Sequence, residues 1–281
     1  LRTTHSDRET LYRLIANDNH RGDAAQFVAA ASEGDLRQFL SLSRVEGIDA
    51  SELQTVARTA GVTGGDVPFA ALRRNFDSVN EIHYTAHSTV TTGRRHGITT
   101  TVRTVGDSDS FLRTHSELDD VNAFSRLDSG ARGTIAETQI APEIARQKGY
   151  TVLYGQGDAA RDGIDLIARD RTSGEVVVFE VKYTSSDRTI GPGLFRSSRS
   201  TVDGRVDQMT DGWIEHSFRS RVSSDDIVRD QYDTVDVAIE RGDYRKEVIA
   251  VQTGGSGRTV SPRLRSRYGI DAVDIVRLNE L

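Results

Sequence analysis

The stretch Gly163-Ile164-Asp165-Leu166-Ile167-Ala168-Arg169-Asp170, then Arg171-Thr172-Ser173-Gly174, then Glu175-Val176-Val177-Val178-Phe179-Glu180-Val181-Lys182-Tyr183-Thr184 decides how the rest of the chain is read. Two apolar, β-branched runs flank a short polar turn ending in glycine, the signature of an antiparallel hairpin. A four-residue loop that pairs Asp170 with Glu175 sets Asp165 directly opposite Glu180. Residues opposed in this way project to one face with Cβ atoms about 5 Å apart. Lys182 lies two residues beyond Glu180 and shares that face. A slip of one residue would separate the three.

Such a group is out of place in a strand as apolar as Val176-Val177-Val178-Phe179. Charges under an apolar surface are costly unless they are paired or hold a metal. Two carboxylates offer the hard oxygen donors that suit Mg²⁺, an ion that keeps several waters and accepts phosphate oxygens. A lysine beside them can orient a water or stabilise charge developing on a phosphate.

The hairpin has a helix before it and a helix after it. Thr134–Lys148 reads as a helix ended by Gly149, with Glu137 on the same side as Ile140, Ala141 and Ile144. Glu137 is thereby expected to point at the sheet, whereas Glu143 falls off that face and reads as surface. Pro142 should kink or restart this helix. Tyr150–Tyr154 reads as a strand, Asp203–Arg219 as a helix carrying Gln208, and a further helix is expected near 225–241. Val248–Gln252 and Ala272–Leu278 are late strands. Trp213 is expected in the core, against Val206 and Met209.

Taken together, Glu137, Gly163-Ile164-Asp165 and Glu180-Val181-Lys182 resemble the PD-(D/E)xK, or restriction-endonuclease-like, nuclease pattern. The resemblance spans roughly residues 133–220, under a third of the chain. It implies an α/β fold with a central mixed β-sheet flanked by helices. It also implies a catalytic set of Glu137, Asp165, Glu180 and Lys182, with Gln208 in support. Asp165, Glu180 and Glu137 would be the ligands of Mg²⁺, for which Mn²⁺ can substitute. The reaction implied is hydrolysis of phosphodiester bonds in nucleic acid, DNA being favoured over RNA. Ile164 stands where the family often has proline. The stretch Asp207-Gln208-Met209-Thr210-Asp211-Gly212-Trp213-Ile214 is similar to restriction-like toxin domains of secreted polymorphic toxins. That likeness implies delivery from a larger precursor, a cytoplasmic site of action and a cognate immunity protein. The alternatives are a repair or restriction endonuclease and a non-catalytic module that binds nucleic acid or protein.

Upstream, residues 8–76 carry helical apolar spacing in three or four short segments broken by glycines, and residues 81–105 switch to the alternation of a β-hairpin. The polar stretch 106–130, rich in aspartate, reads as a linker. The expected division is an N-terminal helical plus β-hairpin domain at 1–125 and the nuclease domain at 126–281. A start other than Met fits a fragment or a processed product.

Arg188, Arg196, Arg199 and Arg205 surround Gly191-Pro192-Gly193, and guanidinium forks there would suit substrate phosphates. Arg258, Arg263, Arg265 and Arg267 form a weaker second group. His83, His87 and His96 admit a zinc site, but scattered polar strand residues are the simpler explanation.

Composition sets the limits. The 281 residues are 36% hydrophobic, enough for a packed core. No apolar run approaches the roughly 18 residues of a membrane span. Cysteine is absent, which removes disulfides and thiolate-bound zinc. Arginines number 33 against three lysines, and aspartates 28 against 14 glutamates. This balance fits a protein kept soluble in brine, where the Debye length at 1 M salt is only about 3 Å; an arginine-biased genome is the other explanation. The net charge of −6 is unusual for a nucleic-acid binder, so local charge matters more than the sum.

Overall fold

The computed structural model describes residues 11–12, 23–42, 53–57, 78–85, 88–155, 163–184, 189–195, 200–201, 204–227, 229–253 and 260–278. Early helices are α1 (Asp23–Ala30) and α2 (Glu33–Leu42), followed by a helical stretch at 53–57. Strands β1 (Ser78–Thr85), β2 (Ser88–Arg95) and β3 (Ile98–Val105) come next, then α3 (Ser108–His115), α4 (Val121–Arg126) and α5 (Ser129–Ile135). A π-helical turn (Ala136–Ile140) leads into α6 (Ala141–Gln147). There follow β4 (Tyr150–Gly155), β5 (Leu166–Asp170), β6 (Val176–Thr184), the two-residue strands β7 (Ser200–Thr201) and β8 (Gly204–Arg205), α7 (Asp211–Arg221), α8 (Arg229–Arg241), β9 (Tyr244–Thr253), α9 (Arg263–Tyr268) and β10 (Ala272–Leu278).

The eight long strands form one mixed sheet in the order β1-β2-β3-β10-β9-β6-β5-β4. The four central strands β3, β10, β9 and β6 are parallel, and antiparallel hairpins extend the sheet at both ends. This is the expected α/β class, with helices on both faces. On one face Val176, Val178, Ile167, Val273 and Ile275 pack with Trp213, Ile214 and Phe218 of α7 and with the early helices. On the other, Val177, Phe179, Val181 and Val276 pack with Ile140, Ala141 and Ile144. Central strands covered on both sides are buried at nearly every position, as β10 and most of β6 are, and are mostly apolar for that reason.

Two expectations change. The hairpin expected to sit with the N-terminal helices, apart from the later strands, is hydrogen-bonded into their sheet: β3 pairs with β10 from Thr99↔Ala272 to Val105↔Leu278. Pairing between strands so distant in sequence leaves no local signature. Nor is 106–130 a linker. Asp107, Asp120 and Asp128 are the N-caps of α3, α4 and α5, accepting from Ser110 N–H (2.9 Å), Ala123 N–H (2.5 Å) and Ala131 N–H (2.8 Å). Asp109 accepts from Val121 N–H at 2.7 Å. Aspartates that suggested a solvated connector are there because each short helix has unpaired N–H groups to satisfy.

Elsewhere the reading matches closely. The β2–β3 turn is His96-Gly97, both with positive φ (53° and 77°), as a two-residue hairpin turn demands. Late strands appear at Tyr244–Thr253 and Ala272–Leu278, and Trp213 is buried beside Met209 and Val206. The parts of 8–76 that carried the remaining helical spacing lie outside the described residues. No helix among the described residues is long and apolar enough to cross a membrane.

Candidate active site

The site is built on the β5–β6 hairpin. Leu166 pairs with Phe179, Ile167 with Val178, Ala168 with Val177 and Arg169 with Val176, the predicted register. The turn closes with Asp170 N–H donating to Glu175 O (2.9 Å) and Gly174 N–H to Asp170 O (2.8 Å), Gly174 taking φ 76°. Arg245 on β9 clamps both ends of this loop, pairing with Asp170 (2.8 Å) and Glu175 (2.9 Å). A guanidinium fork across the closing pair holds the register that places the charged residues.

Just before β5, the Asp165 carboxylate accepts from Val181 N–H at 2.7 Å. It occupies the place of a ladder partner, so Asp165 lies where the two strands part. Glu180 is completely buried, and its Oε1 lies against the ammonium of Lys182. Its other oxygen, Oε2, is buried with no hydrogen-bond partner. Glu137 is half-buried, at the margin of the helix face expected to carry it. The reason is Pro142. It lacks an N–H and sits in the first turn of α6, and the chain accommodates it with a π turn over Ala136–Ile140. Ala136, Ile140, Ala141, Ile144 and Ala145 then fill the buried face.

The four groups perturb one another. Burial raises the Glu180 carboxyl to about 8, with the Asp165 charge adding to the rise and Lys182 opposing it. Burial likewise raises Glu137 to about 7, again with Asp165 adding and Lys182 opposing. Asp165 is pushed up by burial and held back by Lys182 and the Val181 N–H. Burial would lower Lys182, but Glu180 and Asp165 outweigh it and raise it. Glu137, Asp165, Glu180 and Lys182 thus lie within reach of one another's charges.

A pH effect follows. Both glutamates have folded values above the ordinary 4.5. With no ion bound, the folded chain keeps protons that the unfolded chain has released, so stability falls as pH rises from about 4.5 through about 8. The loss for a fully buried carboxyl is of the order of a few kcal/mol. Melting curves in EDTA between pH 5 and pH 9 should drop accordingly, and Glu180→Gln should flatten most of that drop. A variant profile as steep as the parent's would contradict the assignment.

Gln208 does not stand on a helix. It occupies the turn before α7, its N–H bonded to Phe195 O (2.8 Å), and Met209 follows with φ 62°. A left-handed residue ends any continuous helix, so α7 starts only at Asp211, and no hydrogen bond joins the Gln208 side chain to the four site residues. Arg188, Arg196 and Arg199 lie outside the described residues, as does the side chain of Arg205, whose backbone pairs with Ser200 in β8. In the second arginine group, Arg265 and Arg267 pair with Asp271 (3.1 Å) and Asp207 (2.6 Å), and Arg258 is outside the described residues. The side chains of His83 and His87 are also outside them, and His96 is an exposed turn residue. Glu143 pairs with Arg146 on the surface, as a bystander would.

Two features had gone unread. Arg132 on α5 donates to Tyr183 OH (2.5 Å), Leu127 O (3.0 Å) and Ser125 O, and lies over the rings of Phe124 and Tyr183. It fastens the helix that leads to Glu137 onto the residue after Lys182. On the far side of the sheet, Lys148 lies between Glu247 (2.5 Å) and Asp274 (2.6 Å), with Tyr150 OH donating to Glu247 at 2.9 Å. The rarity of lysine was the available signal: all three lysines are paired with acids, the third being Lys246 with Asp211 (2.5 Å).

A divalent ion fits the donors present. The Glu180 Oε2 is a buried carboxyl oxygen without a hydrogen-bond partner. Among the described residues no three His, Asp or Glu side chains gather into an ion cage. Two carboxylates with the remaining positions left to water and phosphate is how Mg²⁺ is ordinarily held. Comparison of the chain with family models, with curated proteins and with solved structures gave no match.

Proposed function

We propose that the protein is a magnesium-dependent nuclease that hydrolyses phosphodiester bonds of nucleic acid, DNA in preference to RNA. The observation carrying this reading is the buried Glu180, with one oxygen on Lys182 and the other unsatisfied, in electrostatic contact with Asp165 and Glu137. Asp165 and Glu180 would hold the ion. When bound, that ion would polarise the phosphodiester and lower the pKa of an attacking water. Lys182 keeps its proton and sets an ammonium beside the non-bridging oxygens, where charge grows. Glu137, raised to about 7, is poised to take a proton from the water near neutral pH. The toxin-like Asp207–Ile214 stretch favours delivery from a larger effector.

Incubation with plasmid and with tRNA in high KCl, with and without Mg²⁺, tests the reading. Cutting that requires Mg²⁺ or Mn²⁺ and stops in EDTA is expected, with plasmid the better substrate. Retention of nucleic acid without cutting in any divalent ion would instead indicate a non-catalytic binding module.

A further inference from the structure

The sheet face opposite Glu180 and Lys182 carries a second polar site. Beyond the end of α6, against β2, β3 and β10, lies a cavity of about 620 Å³. That is well inside the range of sites for small ligands, roughly 300–1,000 Å³. Its lining is cationic in an acidic protein: five Arg and Lys side chains against three acids. Most of these are mutually neutralised. Lys148 is engaged by Glu247 and Asp274, and Arg265 by Asp271.

Arg94 and Arg103 are different. Among the described residues neither is within ion-pair distance of an acid; Arg103 donates to Gln147 Oε1 at 3.0 Å and feels the charge of Asp274 on the cavity floor. The strand register spaces them. Arg94 lies opposite Thr99, and Arg103 is four residues further along β3, on the same face and about 13 Å away. Between them on that face stand Thr92 and Thr101, a directly opposed pair whose hydroxyls are 3.3 Å apart. Val90, Ile144 and Ala272 supply apolar wall, and the buried acids Glu247 and Asp274 form an accepting floor.

We propose that this cavity binds a nucleoside di- or triphosphate. Two guanidinium forks not tied up in an ion pair match phosphate groups. The hydroxyls can donate to the same oxygens, while the apolar wall and acidic floor suit a base and its amino or hydroxyl donors. The volume exceeds what a bare phosphate would fill. The assignment is independent of the nuclease reading, since it uses none of that site's side chains.

Isothermal titration with ATP, GTP, inorganic triphosphate and a single-stranded phosphorothioate oligonucleotide tests it, at the lowest salt that preserves the folded circular dichroism spectrum. At least one nucleotide should bind, at least about 10-fold tighter than inorganic triphosphate. Arg103→Gln and the exposed-site variant Arg94→Gln should each weaken it about 10-fold or more, whereas Lys182→Met should leave it unchanged. Arg94 is exposed, so a folding defect cannot account for its effect. The proposal is overturned if neither nucleotide binds at millimolar concentration, if inorganic triphosphate or only the oligonucleotide binds as tightly, or if both arginine variants bind like the parent.

Discussion

Replacing Lys182 by Met should lower the rate of plasmid cleavage about 10²–10³-fold while the melting temperature changes little. The rate loss is that of removing one preorganised donor from developing charge. The retained fold follows from Glu180. A buried carboxylate deprived of its ammonium would ordinarily be very costly, but burial already raises this one to about 8. Without the ammonium, which opposes that rise, it stays neutral near pH 7. Glu180→Gln should abolish cleavage as thoroughly and raise metal-free stability at pH 8. The reading fails if Lys182→Met cuts at the parental rate, or if its loss of activity is matched by a loss of folded protein in circular dichroism.

Replacing Lys148 by Met should have the opposite profile, with a severe loss of stability. Glu247 and Asp274 are almost wholly buried and share this ammonium at 2.5 and 2.6 Å. Losing it leaves two acids side by side beneath the sheet surface. Breaking a buried pair costs about 3–5 kcal/mol, which in a chain of this size lowers the melting temperature by roughly 10 °C. The double variant with Asp274→Asn should recover about half, because one negative charge goes with it. Equal melting temperatures for Lys148→Met and the parent would mean that this network carries no stability.

What could be read from the sequence was what depends on neighbours along the chain. A four-residue turn with Gly174 at positive φ leaves one register available, and so the opposition of Asp165 and Glu180 was legible. The side of the helix bearing Glu137 was legible to within a margin, and the margin came from the π turn that Pro142 requires. The Gln208 helix was misplaced because one residue, Met209, adopts a left-handed conformation that methionine gives no hint of. The aspartates of 106–130 have the same composition whether they solvate a linker or cap helices of six to eight residues. The union of β3 with β10, and the gathering of Lys148, Glu247 and Asp274 from three separate elements, are products of topology.

The seat of β10 between β3 and β9 bears on how the molecule is made. Residues 272–278 leave the ribosome long after residues 98–105, yet among the described residues they form the strand that joins β1–β3 to β9, β6, β5 and β4. Until they emerge, the nascent chain holds two partial sheets with facing unpaired edges. Contacts that span so much sequence form slowly, and open edges invite association with other chains. Assembly of this sheet thus waits on insertion of a central stave rather than addition of an outer one, so the interval before β10 emerges is when a chaperone would be most needed.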